Sequence, residues 1–203
     1  MNDFFTSLKE QSRLLMERVG NVRGEIIADN IAYIASREDG PGLAIIEEKL
    51  RELGFPLKLS GFQKARWYPE ALSVLIVLIA KDLLNWQEED VFMLGSSVPE
   101  SSSVVQMLKQ VVFSPEQLFR QLPEVWKAQF DFGAVESTEF QEAEHSFSFR
   151  IMGYQFHPVM CQYYAGYFLG VTKFFIKNEK ILIYEKACAF KGADFHEYTV
   201  KWE

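Results

Sequence analysis

The sequence has few of the residues that build disulfide frameworks and no basic segment of the kind that binds nucleic acid. Only 2 of its 203 residues are cysteine and 3 are histidine. Two cysteines do not make a disulfide framework, so we expect thiols or a metal site in a reducing compartment. Acidic residues outnumber basic ones by 28 to 21, the net charge is −7, and no basic run occurs. Nucleic acid and anionic membrane surfaces are therefore not expected as partners.

Long apolar runs and targeting signals are also missing. The longest apolar run, Val74–Ala80, is far shorter than the roughly 20 residues that span a bilayer, and it predicts a buried helix. The first ten residues, MNDFFTSLKE, lack the charged and apolar regions of a signal peptide. We therefore expect a cytoplasmic protein without a membrane span.

Apolar and aromatic residues are plentiful. Hydrophobic residues make up 48% of the chain and aromatic residues 15%, with 18 phenylalanines. This composition is typical of a globular protein and indicates a bulky core or an aromatic-lined pocket. Because no internal repeat or low-complexity linker occurs, we predict a single domain over residues 1–203.

The periodicity of apolar residues changes near residue 135. Before it, the helical repeat predicts helices over about 2–19, 22–37, 43–53, 69–84, 88–94, 104–112, 115–120 and 123–130, with a polar break at 96–103. After it, the pattern predicts strands over 136–142, 145–152, 181–185 and 195–202 and a helix over 158–175. The predicted fold class is α+β, with an N-terminal helical layer (1–135) packed on a small antiparallel sheet with a crossing helix (136–203).

Four side chains able to bind a metal ion lie in the last quarter of the chain. Cys161 lies in the first turn of the helix predicted over 158–175, where the helix dipole lowers the pKa of a thiol. Glu185 ends a strand, Cys188 begins the following loop, and His196 lies in the next strand. Since the hairpin brings the last two together and helix packing adds Cys161, two thiolates, an imidazole and a carboxylate suit tetrahedral zinc.

The same residues have a simpler interpretation. Cys161 and Cys188 can be small buried hydrophobic residues, Glu185 a solvated strand end and His196 a surface residue. No CxxC pair is present to favour a metal, so spacing alone leaves both interpretations open.

The segment from about 145 to 202 resembles the 4-vinyl reductase domain family. The resemblance rests on PVMC at 158–161, GYFLG at 166–170, EKAC at 185–188, Gly192 and His196. It implies that Cys161, Glu185, Cys188 and His196 hold a structural zinc ion. Two differences from the family pattern stand out: Met160 is an extra residue before the cysteine, and His196 replaces the last cysteine.

The resemblance also implies a fold and a function. The fold is shared with subunits of the TRAPP vesicle-tethering complex and, more distantly, with haem-containing nitric-oxide sensors. The implied function is a non-catalytic sensor or adaptor that binds a small hydrophobic or aromatic molecule and forms a homodimer through its N-terminal helices. The alternatives are a protein–protein interaction scaffold resembling TRAPP subunits, with a protein partner, and a reductase or accessory protein in tetrapyrrole vinyl reduction.

Aromatic residues around the predicted sheet suit the walls of a ligand pocket. The candidates are Trp126, Phe130, Phe132, Phe140, Phe147, Phe149 and Tyr167. The alternative is that these rings form the hydrophobic core.

No catalytic or cofactor-binding residue is assigned, and haem is not expected. The chain has no glycine-rich nucleotide loop after a strand. Ser146, Ser148 and Arg150 are similar to the Tyr-x-Ser-x-Arg haem-propionate motif of the nitric-oxide sensors, but the tyrosine is missing. All three histidines follow residue 140, so no upstream histidine is available to bind iron. The cofactor that the donor set and the family resemblance imply is a structural zinc ion at Cys161, Glu185, Cys188 and His196.

Overall fold

A computed structural model of the protein describes residues 7–37, 42–177 and 180–203. The helices are α1 (Leu8–Met16), α2 (Gly24–Arg37), α3 (Gly42–Glu52), α4 (Glu70–Leu83), α5 (Glu88–Ser101), α6 (Ser103–Leu108), α7 (Pro115–Gln129) and α8 (Val159–Phe175). The strands are β1 (Asn21–Arg23), β2 (Trp67–Pro69), β3 (Ala134–Gln141), β4 (Ser146–Met152), β5 (Ile181–Ala187) and β6 (Phe195–Trp202). The predicted α+β class, with helices before the sheet, is confirmed.

The strands form two antiparallel sheets in the described parts of the chain. Strands β1 and β2 make a small two-stranded sheet that the sequence did not predict. The larger sheet has the order β3-β4-β6-β5, and every neighbouring pair is antiparallel. The predicted pairing of the strand near 181–185 with the strand 195–202 is confirmed, because β5 pairs with β6 from Ile181 opposite Trp202 onward.

Helix α8 packs most closely against α5, through glycines. A Cβ atom added at Gly166 would lie 1.9 Å from the carbonyl oxygen of Phe92, and one at Gly95 would lie 2.0 Å from that of Tyr163. At Gly170 the corresponding distance to the carbonyl oxygen of Ser96 is 2.5 Å. Since no larger residue fits between these backbones, the three glycines fix the distance between the two helices.

The apolar run of the sequence forms the centre of α4. Residues Val74–Ala80 are all buried, as expected for a helix that is hydrophobic on every side. No helix among the described residues is both long enough and apolar enough to cross a membrane.

Two predicted helix breaks are wrong, each at a proline. Helix α7 continues through Pro123, which cannot donate a hydrogen bond to the carbonyl of Phe119; the hydroxyl of Ser137 donates to that carbonyl instead. Helix α5 continues through the predicted break at 96–103 as far as Ser101, with Pro99 inside it and in the contact with α8 at Gly170. Tertiary partners thus compensate for the local cost of proline. The predicted first helix began at residue 2; residues 1–6 lie outside the described part of the chain.

Candidate metal centre

Three elements bring the four predicted metal ligands together. Cys161 is the third residue of α8, and Glu185 lies near the end of β5. A β-bulge between Glu185 and Ala187 shifts the register with β6, and such bulges redirect the side chains beside them. Cys188 precedes a single 3₁₀ turn that Gly192 closes at φ +98°, a conformation that favours glycine. His196 is then the second residue of β6.

The ligand atoms of these residues all lie within 4.8 Å of one another. The Sγ atoms of Cys161 and Cys188 are 3.7 Å apart, and Cys161 Sγ is 3.8 Å from His196 Nδ1. His196 Nδ1 is 3.1 Å from Glu185 Oε1. A separation of 3.7 Å is far longer than the bond of about 2.05 Å in a disulfide, so the two cysteines are free thiols.

These separations are close to the edges of a tetrahedron of zinc ligands. With bonds of about 2.3 Å to sulfur and about 2.0–2.1 Å to nitrogen and oxygen, tetrahedral angles give edges of about 3.8 Å for S···S, about 3.6 Å for S···N and about 3.4 Å for N···O. The three measured distances, 3.7, 3.8 and 3.1 Å, each agree within about 0.3 Å. Three of the six separations therefore match a tetrahedral site, and none of the six exceeds 4.8 Å.

A backbone carbonyl orients the imidazole of His196. Its Nε2 lies 3.1 Å from the carbonyl oxygen of Tyr154, which can only accept a hydrogen bond. The ring proton therefore sits on Nε2, and in the neutral ring the lone pair of Nδ1 is directed toward Cys161 and Glu185. Histidines that bind metals generally donate their second N–H to such an acceptor.

The electrostatics of the four residues differ from the sequence-based expectation. Burial, the carboxylate of Glu185 and the thiol of Cys188 raise the pKa of Cys161, so the expected lowering by the helix dipole is wrong for the metal-free site. Burial alone would raise the pKa of Glu185. A His196 ring that also carries a proton on Nδ1 donates to this carboxylate and pairs with its charge, and together with Cys188 and Lys191 this interaction outweighs burial and lowers the pKa. A bound cation would favour the thiolate form that burial opposes.

The cluster is mostly shielded from solvent but has one open side. His196 is 2% exposed and Cys188 6%, so the alternative that placed His196 on the surface is wrong. Glu185 and Cys188 line a surface depression of about 250 Å³, together with Lys191 and Ala193. This depression gives an ion a route to the ligand atoms.

The seven aromatic residues predicted for a ligand pocket pack largely against other rings. Trp126 stacks on Phe130 with centroids 4.1 Å apart, and Phe132 contacts both rings edge-on. Phe147 packs against Phe149, and Phe140 joins them through Phe119. The hydroxyl of Tyr167 donates to Gln129 Oε1 at 2.6 Å.

Two cavities lie elsewhere, beneath α1. One, of about 260 Å³, is lined by Leu14, Leu15, Arg18, Phe156 and His157, among others. The second, of about 530 Å³, reaches Leu78 and Trp86, and Gln11 and His157 line both cavities. No motif or spacing in the sequence pointed to this site, because its lining comes from α1 and from the segment before α8, which are far apart in sequence.

The fold is shared with solved H-NOX structures. No protein-family model matches the sequence, and no curated protein matches it. In structure it is similar to an H-NOX protein from Shewanella oneidensis in the Fe(II)NO ligation state (TM-score 0.69, 17% identity, covering 89% of this chain and 99% of the other). It is also similar to an unliganded Fe(II) H-NOX protein from K. algicida (TM-score 0.63, 12% identity, 89% and 96%). A structure described as "Probing the function of heme distortion in the H-NOX family" matches with a TM-score of 0.63 at 13% identity, covering 89% and 95%. The protein therefore has the H-NOX fold.

These similarities correct the sequence-based expectation about cofactors. We expected zinc and did not expect haem, because the chain has no histidine before residue 140 and lacks the tyrosine of the Tyr-x-Ser-x-Arg motif. The exclusion of haem is wrong, because the fold is one whose solved members include haem proteins. Arg150 occupies the arginine position of that motif. Its side chain pairs with Glu197 at 3.3 Å and lies over the ring of Phe195.

Proposed function

We propose that the protein is a non-catalytic small-molecule sensor or adaptor with the H-NOX fold, braced by a metal ion at Cys161, Glu185, Cys188 and His196. The observation that carries the proposal is the grouping of four ligand atoms within 4.8 Å, with separations near those of a tetrahedral site. Two thiolates, an imidazole and a carboxylate match the ligand preference of zinc. The resemblance to 4-vinyl reductase domains, carried by the same residues, supports this assignment.

The ion would fasten α8 to the edge of the sheet. Cys161 belongs to α8, whereas the other three ligands belong to β5, β6 and their connection. With four protein ligands and no position left for substrate, the site would have the closed shell of structural zinc rather than the open shell of catalytic zinc. This is the reason that the proposed function is non-catalytic.

Metal analysis of the purified protein tests the site directly. We expect one zinc ion per chain in the wild type and none in Cys188→Ser, because loss of one thiolate opens the shell. The control is Glu197→Gln, which changes a carboxylate in β6 next to His196 but outside the cluster. We expect this variant to keep its zinc. A fully folded wild type without any transition metal would overturn the assignment.

The ligand would occupy the two cavities beneath α1. The smaller cavity, of about 260 Å³, has apolar walls from Leu14, Leu15 and Phe156. The larger one, of about 530 Å³, combines Leu8, Leu78 and Trp86 with polar side chains that include Lys81 and Asp82. We expect small aromatic compounds to raise the melting temperature of the wild type. Leu14→Trp, which fills the smaller cavity and leaves the larger one open, should reduce the shift, whereas Lys9→Trp on the same helix outside both cavities should keep it in full. If no compound shifts either protein, the cavities do not bind such ligands.

Haem binding is the second candidate function, and the shared fold favours it. His157 is the residue that would hold the iron: burial and the nearby Arg18 lower its pKa to about 4, so the imidazole is neutral. Its Nδ1 accepts a hydrogen bond from the amide of Val159 at 3.1 Å, so Nε2 could bind iron only after its proton moved to Nδ1 and that bond broke. Haem would supply the iron that binds a diatomic gas.

Titration with hemin separates the two candidates. If haem is the ligand, the protein acquires a Soret band with one haem per chain, and His157→Ala shifts or removes the band. His145→Ala is the control, since that ring stacks on Trp202 at the end of the sheet. The absence of a saturable Soret change in the wild type would reject the haem candidate.

Single-domain organisation, homodimer formation and a cytoplasmic location remain predictions, which sedimentation and fractionation test.

A further inference from the structure

One buried tyrosine touches both the metal cluster and a second polar cluster in the helical layer. The carbonyl oxygen of Tyr154 accepts the hydrogen bond from His196 Nε2 at 3.1 Å. The hydroxyl of the same residue donates to Glu70 Oε1 at 2.8 Å. Tyr154, His196 and Glu70 are all nearly fully buried, with exposures of 2%, 2% and 1%. The two hydrogen bonds therefore form a continuous path from α4 to a proposed metal ligand.

We propose that Tyr154 and Glu70 are positioning residues for the metal cluster. Tyr154 lies in the connection between β4 and α8, outside regular secondary structure. Its carbonyl keeps the ring proton of His196 on Nε2, which leaves Nδ1 free to bind the ion. The bond to Glu70, at the first turn of α4, holds the residue that carries this carbonyl. This inference rests on the proposed metal site and adds two residues that do not touch the ion.

The cavity beneath α1 borders the same connection. Phe156 and His157, two and three residues after Tyr154, line the smaller cavity. The segment 154–157 therefore contacts the metal cluster through the carbonyl of Tyr154, and it lines the cavity with the side chains of Phe156 and His157. A shift of this segment would change both sites at once, and by linkage any effect of one on the other must be reciprocal.

Tyr164 provides a matched control. Its hydroxyl donates to the same oxygen, Glu70 Oε1, at 3.2 Å, and it is also buried. Tyr164→Phe and Tyr154→Phe therefore remove equivalent hydrogen bonds from one carboxyl group. Only Tyr154 also carries the carbonyl that orients His196, so a general loss of core stability affects both variants but loss of positioning affects one.

The first experiment compares zinc affinity by competition with a chelator. We expect Tyr154→Phe to bind zinc about 10-fold more weakly than the wild type, since loss of an outer hydrogen-bond partner typically costs 10–100-fold. Tyr164→Phe should stay within about 2-fold of the wild type. Glu70→Leu should weaken binding as Tyr154→Phe does, whereas Glu70→Gln, which keeps an oxygen acceptor, should restore it. Equal affinities of the two tyrosine variants would overturn the proposal.

A second measurement does not require metal. The ¹⁵N chemical shifts of His196 distinguish a ring protonated on Nε2 from one protonated on Nδ1. We expect the Nε2–H form in metal-free wild type and in Tyr164→Phe, and a mixture of both forms in Tyr154→Phe. If the wild type binds no zinc, the metal proposal fails, and this readout still decides whether Tyr154 orients the ring. An unchanged Nε2–H form in Tyr154→Phe rejects the positioning role.

Discussion

Glu70 and Glu185 are two carboxyl groups near the start of α8, the first buried and the second half-buried, and their surroundings shift their pKa values in opposite directions. Burial raises the pKa of Glu70 to about 8, although the hydroxyls of Tyr154 and Tyr164 donate to it and lower the value in part. Burial also raises the pKa of Glu185, but less completely, and the interactions with His196, Cys188 and Lys191 bring the net pKa below its usual value. Shallower burial and a partner that can carry positive charge both favour the charged form at Glu185.

The difference lies in what the partner can do for a negative charge. A neutral hydroxyl offers one hydrogen bond, which is too little to offset the loss of water around a carboxylate. An imidazole can also carry a positive charge, and a metal ion bound to it would supply a permanent positive charge. The Glu185 cluster is therefore built to hold charge, and the Glu70 cluster is built to hold a neutral carboxyl group.

The stability of the protein should depend most strongly on pH through Glu70. Its pKa is higher in the folded chain than in the unfolded chain, so its contribution to stability is complete below about pH 4.5, falls as the pH rises to about 8, and is then constant. Relative to Glu70→Gln, the wild type should lose roughly 5 kcal/mol of unfolding free energy between pH 4.5 and 9. Urea denaturation across this range measures it, and parallel profiles for the two proteins would contradict the buried neutral carboxyl.

Removing the metal tests how much the cluster around Glu185 contributes to the unfolding free energy. At a free zinc concentration about 1,000 times the dissociation constant, binding adds about 4 kcal/mol to the unfolding free energy, which a chelator should remove. Cys188→Ser should be less stable than the wild type with zinc and insensitive to chelator. Denaturation with and without chelator gives both values. A wild type whose stability does not respond to zinc or chelator would show that the cluster is not a metal site.

Helix α8 carries Cys161 of the metal cluster and Tyr164, which donates to Glu70. This helix should not tolerate a methyl group at its contact with α5. In Gly166→Ala the new Cβ would overlap the carbonyl oxygen of Phe92, so the helices must separate, at a cost of about 3 kcal/mol. Gly61→Ala is the control, because no atom lies within 4 Å of the added Cβ. Thermal unfolding compares the two. Similar melting temperatures for both variants would mean that the α5–α8 contact is not tight.

The smallest effect concerns Glu185 in metal-free protein. Its pKa is lowered on folding, so its contribution to stability is present above the unfolded value near 4.5 and is lost as the pH falls through the folded value. Because the group is partly exposed and screened by solvent, we expect Glu185→Gln to change the acid dependence by less than about 1 kcal/mol. Denaturation in chelator between pH 3 and 7 measures it. A dependence with the same sign as that of Glu70 would remove the contrast between the two clusters.

Local patterns in the sequence predicted much of the sheet and of the candidate site. The alternation in 145–152 and 195–202 and the turn at Gly192 identified the strands and placed Cys188 near His196, because a hairpin joins residues close in sequence. The prolines misled the prediction for the opposite reason. Whether a helix survives Pro123 depends on Ser137, which comes from the next element and donates to the freed carbonyl of Phe119.

The residues that assist the site could not be predicted in the same way. Glu70 opens α4 like any acidic residue in a first turn, and nothing near it in sequence indicates that Tyr154, 84 residues later, donates to it. The cavities beneath α1 likewise join that helix to the segment before α8.

The amino-acid sequence specifies two thiols, an imidazole and a carboxylate at spacings that a helix start and a hairpin can use. Their approach to within 4.8 Å, the burial of Glu70 among neutral hydroxyls and the H-NOX fold are consequences of tertiary packing. The two kinds of information differ in the range of the interactions behind them. Turn and strand preferences act between neighbours along the chain, whereas desolvation and helix packing depend on residues far apart in sequence.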